Sequence, residues 1–317
     1  MKCPYCKQEH PNGYKFCPNT GHVIEPQFIA CTNEQCVGFG KYELLPDSKF
    51  CPRCGNLINA SSANKTEGKD DVITFSVNGA SFSMIKVEAG SFDMGDDYNQ
   101  DAPSHPVTIT HDYYIGKTVV TNELALAILS DRNVKGEVEE EFGEANDFLE
   151  EIEDDNPDFP FVNLNWYNAK FLIRLLKKIT GEKFDLPTEA EWEFAARGGN
   201  KSDNYQFSGS DDLDDVAWYN DNSDFELQEV AGKEPNELGI YDMSGLVGEW
   251  CSDWYDEDFY ENSPKNNPRG PKNGDSKVIR GGSISLWDEC GVCWRGDHNP
   301  YDEHDEIGFR FVLRVRK

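Results

Sequence analysis

The sequence predicts an α+β chain: a large, irregular, loop-rich domain preceded by two small cysteine modules. Three observations carry that reading. Residues 238–255 set glycines among large rings, from Leu238-Gly239-Ile240-Tyr241 through Gly245, Gly248, Trp250, Trp254 and Tyr255, and Gly281-Gly282 and Gly308-Phe309 repeat the theme. Missing side chains let backbones approach closely and rings fill the space, which suits an irregular core. Apolar residues at helical spacing, with a period-two stretch ahead of them, mark helices and a strand pair. Seven of the ten cysteines fall in the first 54 residues, in closely spaced sets.

Taken in order, Cys3-Pro4-Tyr5-Cys6 and Phe16-Cys17-Pro18 resemble the two knuckles of a zinc ribbon, with Thr20 where a fourth cysteine would stand. A hydroxyl is a poor zinc ligand and an imidazole a good one, so His22 is expected to complete the set, with His10 as the alternative. Cys31, Cys36, Cys51 and Cys54 supply four thiolates for a second, closed tetrahedral site. Two structural zinc ions are therefore expected, in modules spanning 1–26 and 27–56. Modules this small bury little apolar surface, so metal binding would supply their folding free energy.

Residues 57–70 are small and polar and read as a linker. Val72-Ile73-Thr74-Phe75-Ser76-Val77 alternates as a strand, Asn78-Gly79 is a hairpin turn, and a return strand follows over 82–87. The large domain is placed at 71–317. Residues 133–158 hold twelve acids and one lysine and read as a solvated helix or loop. Trp166, Ala169, Leu172, Ile173, Leu176 and Ile179 predict a helix over 165–178, stopped by Gly181. Thr188-Glu189-Ala190-Glu191 is a capping box opening a second helix, with Gly198 beyond its end.

The formal net charge of -29 is uneven: residues 1–60 carry +1 and the remainder -30. Such a surface repels phosphate backbones, so nucleic acid is not an expected ligand of the large domain, and basic partners or cations are favoured. No apolar run of about 18 residues exists, and the chain opens on a cysteine pair without a signal-peptide core. No membrane association and a cytoplasmic location, reducing enough for free thiolates, are the expectation.

Five blocks in order resemble the formylglycine-generating enzyme and sulfatase-modifying factor family: Val87-Glu88-Ala89-Gly90-Ser91-Phe92-Asp93-Met94-Gly95, Pro160-Phe161-Val162, Leu186-Pro187-Thr188-Glu189-Ala190-Glu191-Trp192, Gly245-Leu246-Val247-Gly248-Glu249-Trp250, and Gly281-Gly282-Ser283 with Gly308-Phe309-Arg310. The resemblance runs from Ile85 to the C-terminus and implies a formylglycine-generating-enzyme-like variant of the C-type lectin fold. It also implies a copper site of two cysteines, five residues apart, after Gly-Gly-Ser. Counted forward from Ser283 those positions hold Leu286 and Gly291; counted back from Gly308-Phe309-Arg310, Arg295 falls on a family arginine and the second position is Trp287. None of these side chains binds copper, which is not expected. The family's calcium site uses an asparagine where this chain has Leu246. Asp242, Asn220, Asn222 and Asp224 leave calcium open.

Cys290-Gly291-Val292-Cys293 resembles a redox motif, but its acidic flanks would raise a thiol's pKa, and a packing role is preferred. The four histidines of this domain accompany no serine-hydrolase elbow or metalloprotease motif. What remains is a surface: Ser285, Trp287, Asp288, Trp294, Asp297, His298, Tyr301 and His304, between glycine-fixed anchors. Rings interspersed with hydrogen-bonding groups have the composition of a recognition patch, although Trp287 or Trp294 could equally fill the core. The favoured function is a non-catalytic protein binding a protein or peptide through 284–304, similar in layout to the variable proteins of diversity-generating retroelements. The rivals are a metal-dependent oxidase acting on a protein cysteine through Cys290 and Cys293, and a zinc-ribbon adaptor contacting nucleic acid or a larger complex.

Overall fold

A computed structural model of the chain describes residues 29–30, 43–44, 64–67, 71–96, 102–142, 156–286 and 289–314. The chain divides into two compact units, Met1–Ser62 and Ala63–Lys317. In the first, β1 (Ile29–Ala30) pairs antiparallel with β2 (Glu43–Leu44). The expected zinc ligands Cys3, Cys6, Cys17, His22, Cys31, Cys36, Cys51 and Cys54 lie outside the described residues, as do Trp287 and Asp288.

The second unit starts earlier than the sequence suggests. β3 (Asn64–Glu67) pairs antiparallel with β4 (Val72–Val77), so part of the expected linker is an edge strand. Polar composition hides such a strand because its ladder uses backbone groups only. β4 turns into β5 (Ala80–Val87) through Asn78 at φ 48° and Gly79 at φ 100°. Positive φ at both central residues is the hairpin geometry that asparagine and glycine permit. With β8 (Tyr113–Gly116), β9 (Phe184–Asp185) and β14 (Val312–Arg314) they build a six-stranded sheet of order β3-β4-β5-β8-β14-β9. The C-terminal strand β14 thus sits inside the sheet, antiparallel to both neighbours.

A four-stranded sheet, β12-β11-β10-β13, is formed by β10 (Gly248–Trp254), β11 (Lys277–Arg280), β12 (Gly296–His298) and β13 (Ile307–Gly308), the last parallel to β10. β6 (Gly90–Met94) and β7 (His105–Ile109) make a separate antiparallel pair.

Helices cover these sheets: α1 (Asn122–Leu129), α2 (Lys135–Phe142), α3 (Trp166–Thr180), α4 (Glu189–Ala196) and the single turn α5 (Leu213–Val216). In α3 the Asn165 cap exchanges hydrogen bonds with Asn168, and Gly181 ends the helix at φ 74°. Its apolar stripe, Ala169, Leu172, Ile173, Leu176 and Ile179, is buried as its spacing predicts. Each fully buried leucine there contributes roughly 1.5–3 kcal/mol. α2 occupies the start of the acidic 133–158 stretch, burying Val138 and setting Phe142 against Phe171 at 5.5 Å.

α4 opens with the expected box: Glu191 N–H donates to Thr188 Oγ1 (3.1 Å) and Thr188 N–H to Glu191 Oε2 (2.9 Å). Its acids, however, are not solvated. Glu189, Glu191 and Glu193 are all buried beside Trp192 and Phe194. Among the described residues no helix is long and apolar enough to cross a membrane.

Candidate functional site

The segment after β11 is held at both ends by one carboxylate. Arg280 Nη1 donates to Glu189 Oε1 (2.9 Å), and Arg295 grips the same group through Nε (2.8 Å) and Nη2 (3.0 Å). Arg280 also reaches Glu193 Oε2 (2.7 Å) and the Val292 carbonyl (2.6 Å). All four side chains are buried. Burial opposes the charge on Glu189, but Arg295 and Arg280 outweigh it and hold the carboxyl below its ordinary value. Glu189 and Glu193 of α4 are therefore the clamp of the 281–295 loop.

A second clamp holds the returning chain. Arg310 donates to both oxygens of Glu249 (2.6 Å each), and Trp192 Nε1 donates to Glu249 Oε2 (2.9 Å). Gly282, at φ 71°, lies so close to the Glu289 backbone that a Cβ would come within 2.8 Å of it. That approach requires glycine.

Between the clamps lies a cavity of about 340 Å³ lined by Gly248, Leu286, Trp294, Asp297, His298, His304 and Glu306, among others. Four of the eight expected ligand residues thus meet: Trp294, Asp297, His298 and His304. Ser285 stands behind them, its hydroxyl donating to Glu306 Oε1 while Ser283 donates to Oε2. Trp294 is half-buried, neither core nor free surface. Its indole lies against Gly296, where a Cβ would be 2.4 Å from the ring. His298 packs near Trp250 (5.9 Å) and perpendicular to His304 (5.4 Å). His304 Nδ1 accepts the Glu306 N–H (3.1 Å), which leaves Nε2 to carry the proton of the neutral ring. Tyr301 is not in this wall. It is 70% exposed and rests on Tyr167 of α3, with ring centroids 4.8 Å apart.

Sequence reasoning missed Glu306 and Gly248. Glu306 looks like one more acid in an acidic tail, and only its contact with two serines singles it out. Gly248 is one of the glycines set among rings over 238–255, and nothing in that pattern singles it out as a cavity wall.

The two cysteines lie elsewhere in the packing. Cys290 is buried, with its thiol donating to the Leu286 carbonyl (3.0 Å). Cys293 lines a larger cavity of about 960 Å³ on the other side of Trp294, and its thiol donates to Asp96 Oδ2 (3.5 Å). Burial and the charge of Glu193 push the Cys293 thiol up to about 11. A thiol so shifted is protonated near neutrality and a weak nucleophile. At the family copper positions, exposed Leu286 and Gly291 offer no donor atom, so copper does not fit there.

For calcium the donors are mostly spent. Asn222 binds the Tyr219 N–H and the Ala217 carbonyl, and Asp242 accepts the Ala231 N–H. Burial raises the Asp242 carboxyl to about 6. Leu246, at φ 65°, packs in an apolar cluster with Val119, Val247 and Ile284. Asn220 Oδ1 is a buried acceptor without a donor among the described residues, which suits a cation but is one oxygen where calcium takes six to eight.

A loop-rich domain whose C-terminal strand enters the main sheet, with an anchored segment between two glycine turns, is a C-type lectin-like domain. A family model described as the sulfatase-modifying factor enzyme 1-like domain matches residues 71–315, and the chain belongs to that family. It is 31% identical over 247 residues to serine/threonine-protein kinase pkn1 of Chlamydia pneumoniae, covering 73% of this chain and 38% of that protein. It is 34% identical over 171 residues to the formylglycine-generating enzyme of Streptomyces coelicolor, covering 49% of this chain and 52% of that one. The chain therefore spans well under two thirds of either relative. Among solved structures, Treponema denticola variable protein 1 superposes with a TM-score of 0.65 at 28% identity, covering 77% of this chain and 99% of that one. PvdO from Pseudomonas aeruginosa shares the fold at a TM-score of 0.61 and 23% identity, over 80% and 98% of the two chains.

Proposed function

We propose that this chain is a ligand-binding protein that recognises a protein or peptide through residues 284–304 and performs no chemistry on it. The observation that carries this reading is the cavity walled by Trp294, Asp297, His298 and His304, held rigid by the Glu189 and Glu249 clamps. Rigid rings with adaptable polar neighbours give contact area at low entropic cost. Likeness to a variable protein at 28% identity supports the same layout. Diversification of this segment by a retroelement belongs to the proposal. A neighbouring reverse transcriptase gene beside a near-copy of the segment would be expected at the locus.

The test is to pan a displayed peptide library on the protein and titrate an enriched peptide. Trp294→Ala and His298→Ala are each expected to weaken it by about thirtyfold, the effect of a central anchor, with the melting temperature held. Equal affinity in both variants would remove the segment from the binding surface.

A second reading, oxidation of a protein cysteine, is favoured by the 34% identity to a formylglycine-generating enzyme. The discriminating measurement is oxygen uptake by the protein with Cu(I) and a cysteine-containing peptide. No thiol-dependent uptake is expected; uptake abolished by Cys293→Ala would establish the oxidase instead. In the same preparation, elemental analysis is expected to give two zinc per chain, held by the cysteine modules. Zinc well below two would overturn that assignment.

A further inference from the structure

The β6/β7 pair is closed along one edge and open along the other. On β7, Thr108 N–H donates to the Lys265 carbonyl (2.7 Å) and the Thr108 carbonyl accepts Asn267 N–H (3.0 Å), so residues 265–267 cover that side. Both Thr108 groups thus point away from β6. The Ser91–Thr108 pair then exchanges no backbone hydrogen bonds, and Ser91 N–H and C=O face the opposite edge. Alternation gives the same orientation to Asp93. Its partner Pro106 agrees, having no N–H to lend to the ladder.

Among the described residues that outer edge is closed at its two ends only. Ala89 N–H donates to Asp112 and its carbonyl accepts from Asn200 Nδ2. Gly95 N–H donates to Glu193, and its carbonyl accepts from Arg197. Between these ends Ser91 and Asp93 present two N–H and two C=O groups, and among the described residues no side chain or backbone group takes them. Ser91, Phe92 and Asp93 line the cavity of about 960 Å³. An open strand edge is a template for another chain, and a walled cavity restricts access to a single segment.

Period-two geometry defines what that segment would meet. One face carries Ser91 and Asp93, both exposed; the other carries Phe92, stacked near Phe194 at 5.1 Å. Asp93, Asp96 and Asp211 line the cavity, and the one cation lining it among the described residues, Arg197, is already held by Glu193 and the Gly95 carbonyl. The charge of -29 on the chain attracts a basic partner from a distance.

We propose that the outer edge of β6 binds an extended segment of a partner protein as an added strand, basic residues facing Asp93 and apolar residues facing Phe92. This does not depend on what the smaller cavity holds. The probe is acetyl-(Lys-Val)3-amide, with acetyl-(Glu-Val)3-amide as counterpart, titrated into the full chain with amide hydrogen exchange read residue by residue. The basic peptide is expected to slow exchange at Ser91 and Asp93, and the acidic one to do neither that nor bind. Ser91→Pro deletes one edge donor without touching the ladder and should weaken the basic peptide about tenfold, the worth of a lost hydrogen bond with its partner left unmade. Binding that leaves Ser91 and Asp93 exchange unchanged, equal binding of the acidic peptide, or no binding at all would each overturn the proposal. The exchange measurement uses the unsubstituted protein, so it decides the matter even if Ser91→Pro misfolds.

Discussion

Glu189→Ala is expected to abolish the stable folded state of the large unit, or to lower its stability by about 3–5 kcal/mol, the usual cost of breaking a buried ion pair by removing one partner. Total stability of a domain is only about 5–15 kcal/mol, so the loss is a large share of it. The cause is specific. Arg295, 5% exposed, would lose both its Nε and Nη2 acceptors, and Arg280, fully buried, would keep Glu193, the Val292 carbonyl and a longer contact to the Tyr260 hydroxyl (3.4 Å). Tyr260 would also lose the Glu189 oxygen that takes its hydroxyl proton (2.9 Å). Because the damage is mostly an uncompensated cation, Glu189→Ala with Arg295→Ala should cost clearly less than the sum of the two single changes. Urea denaturation of the four proteins in this cycle is the measurement. Additive costs, or a Glu189→Ala loss below about 1 kcal/mol, would mean that the clamp does not hold the loop.

Stability is expected to fall as pH rises from about 4 to about 7, with its maximum on the acid side of neutrality. Asp253 is 3% exposed, and burial together with the Glu189 charge pushes its carboxyl from 3.8 up to about 7. Its oxygen accepts from Ser252 Oγ (2.8 Å) and Glu189 N–H (3.2 Å). Nearby Lys277, clasped between Trp254 (3.7 Å) and Trp166 (4.2 Å), is itself pulled by burial to about 8. Between those two Asp253 values the folded chain keeps a proton that the unfolded chain has released, so each step up in pH favours unfolding. The full penalty, reached above pH 7, is on the order of 4 kcal/mol.

Glu191 acts in the opposite sense. Burial opposes its ionisation, but hydrogen bonds from His111 and Arg314 dominate and bring it down to about 2. Its contribution is present above 4.5 and is lost as pH falls toward 2. Asp242, raised to about 6, lowers stability in the same sense below that pH, and self-repulsion of a strongly acidic chain also grows with pH, so Asp253→Asn is the control: it should flatten the decline between about pH 6 and 7.5 while leaving the earlier decline and the acid limb in place. A variant whose profile is parallel to that of the unsubstituted protein would show that Asp253 is ionised throughout.

Much of the scaffold was legible because its signals are local. The Asn78-Gly79 turn, the α3 stripe from Ala169 to Ile179 and the Thr188–Glu191 box each depend on residues within a few positions, where backbone geometry and side-chain spacing act alone. The site was legible in part for a different reason: Trp294, Asp297, His298 and His304 lie within one short segment between recognisable glycine anchors. Residues 64–67, inside the stretch read as linker, form β3, because a polar edge strand shares its composition with a flexible tether.

The sequence by itself determined which residues form helices, turns and anchors, since these follow from residue type and spacing. Only the tertiary structure decided that Glu189 binds arginines 91 and 106 positions away, that Glu306 is gripped by Ser283 and Ser285, and that burial pushes the Asp253 carboxyl up. Charge pairing and desolvation depend on distances through space and on exclusion of water. Spacing along the chain encodes neither.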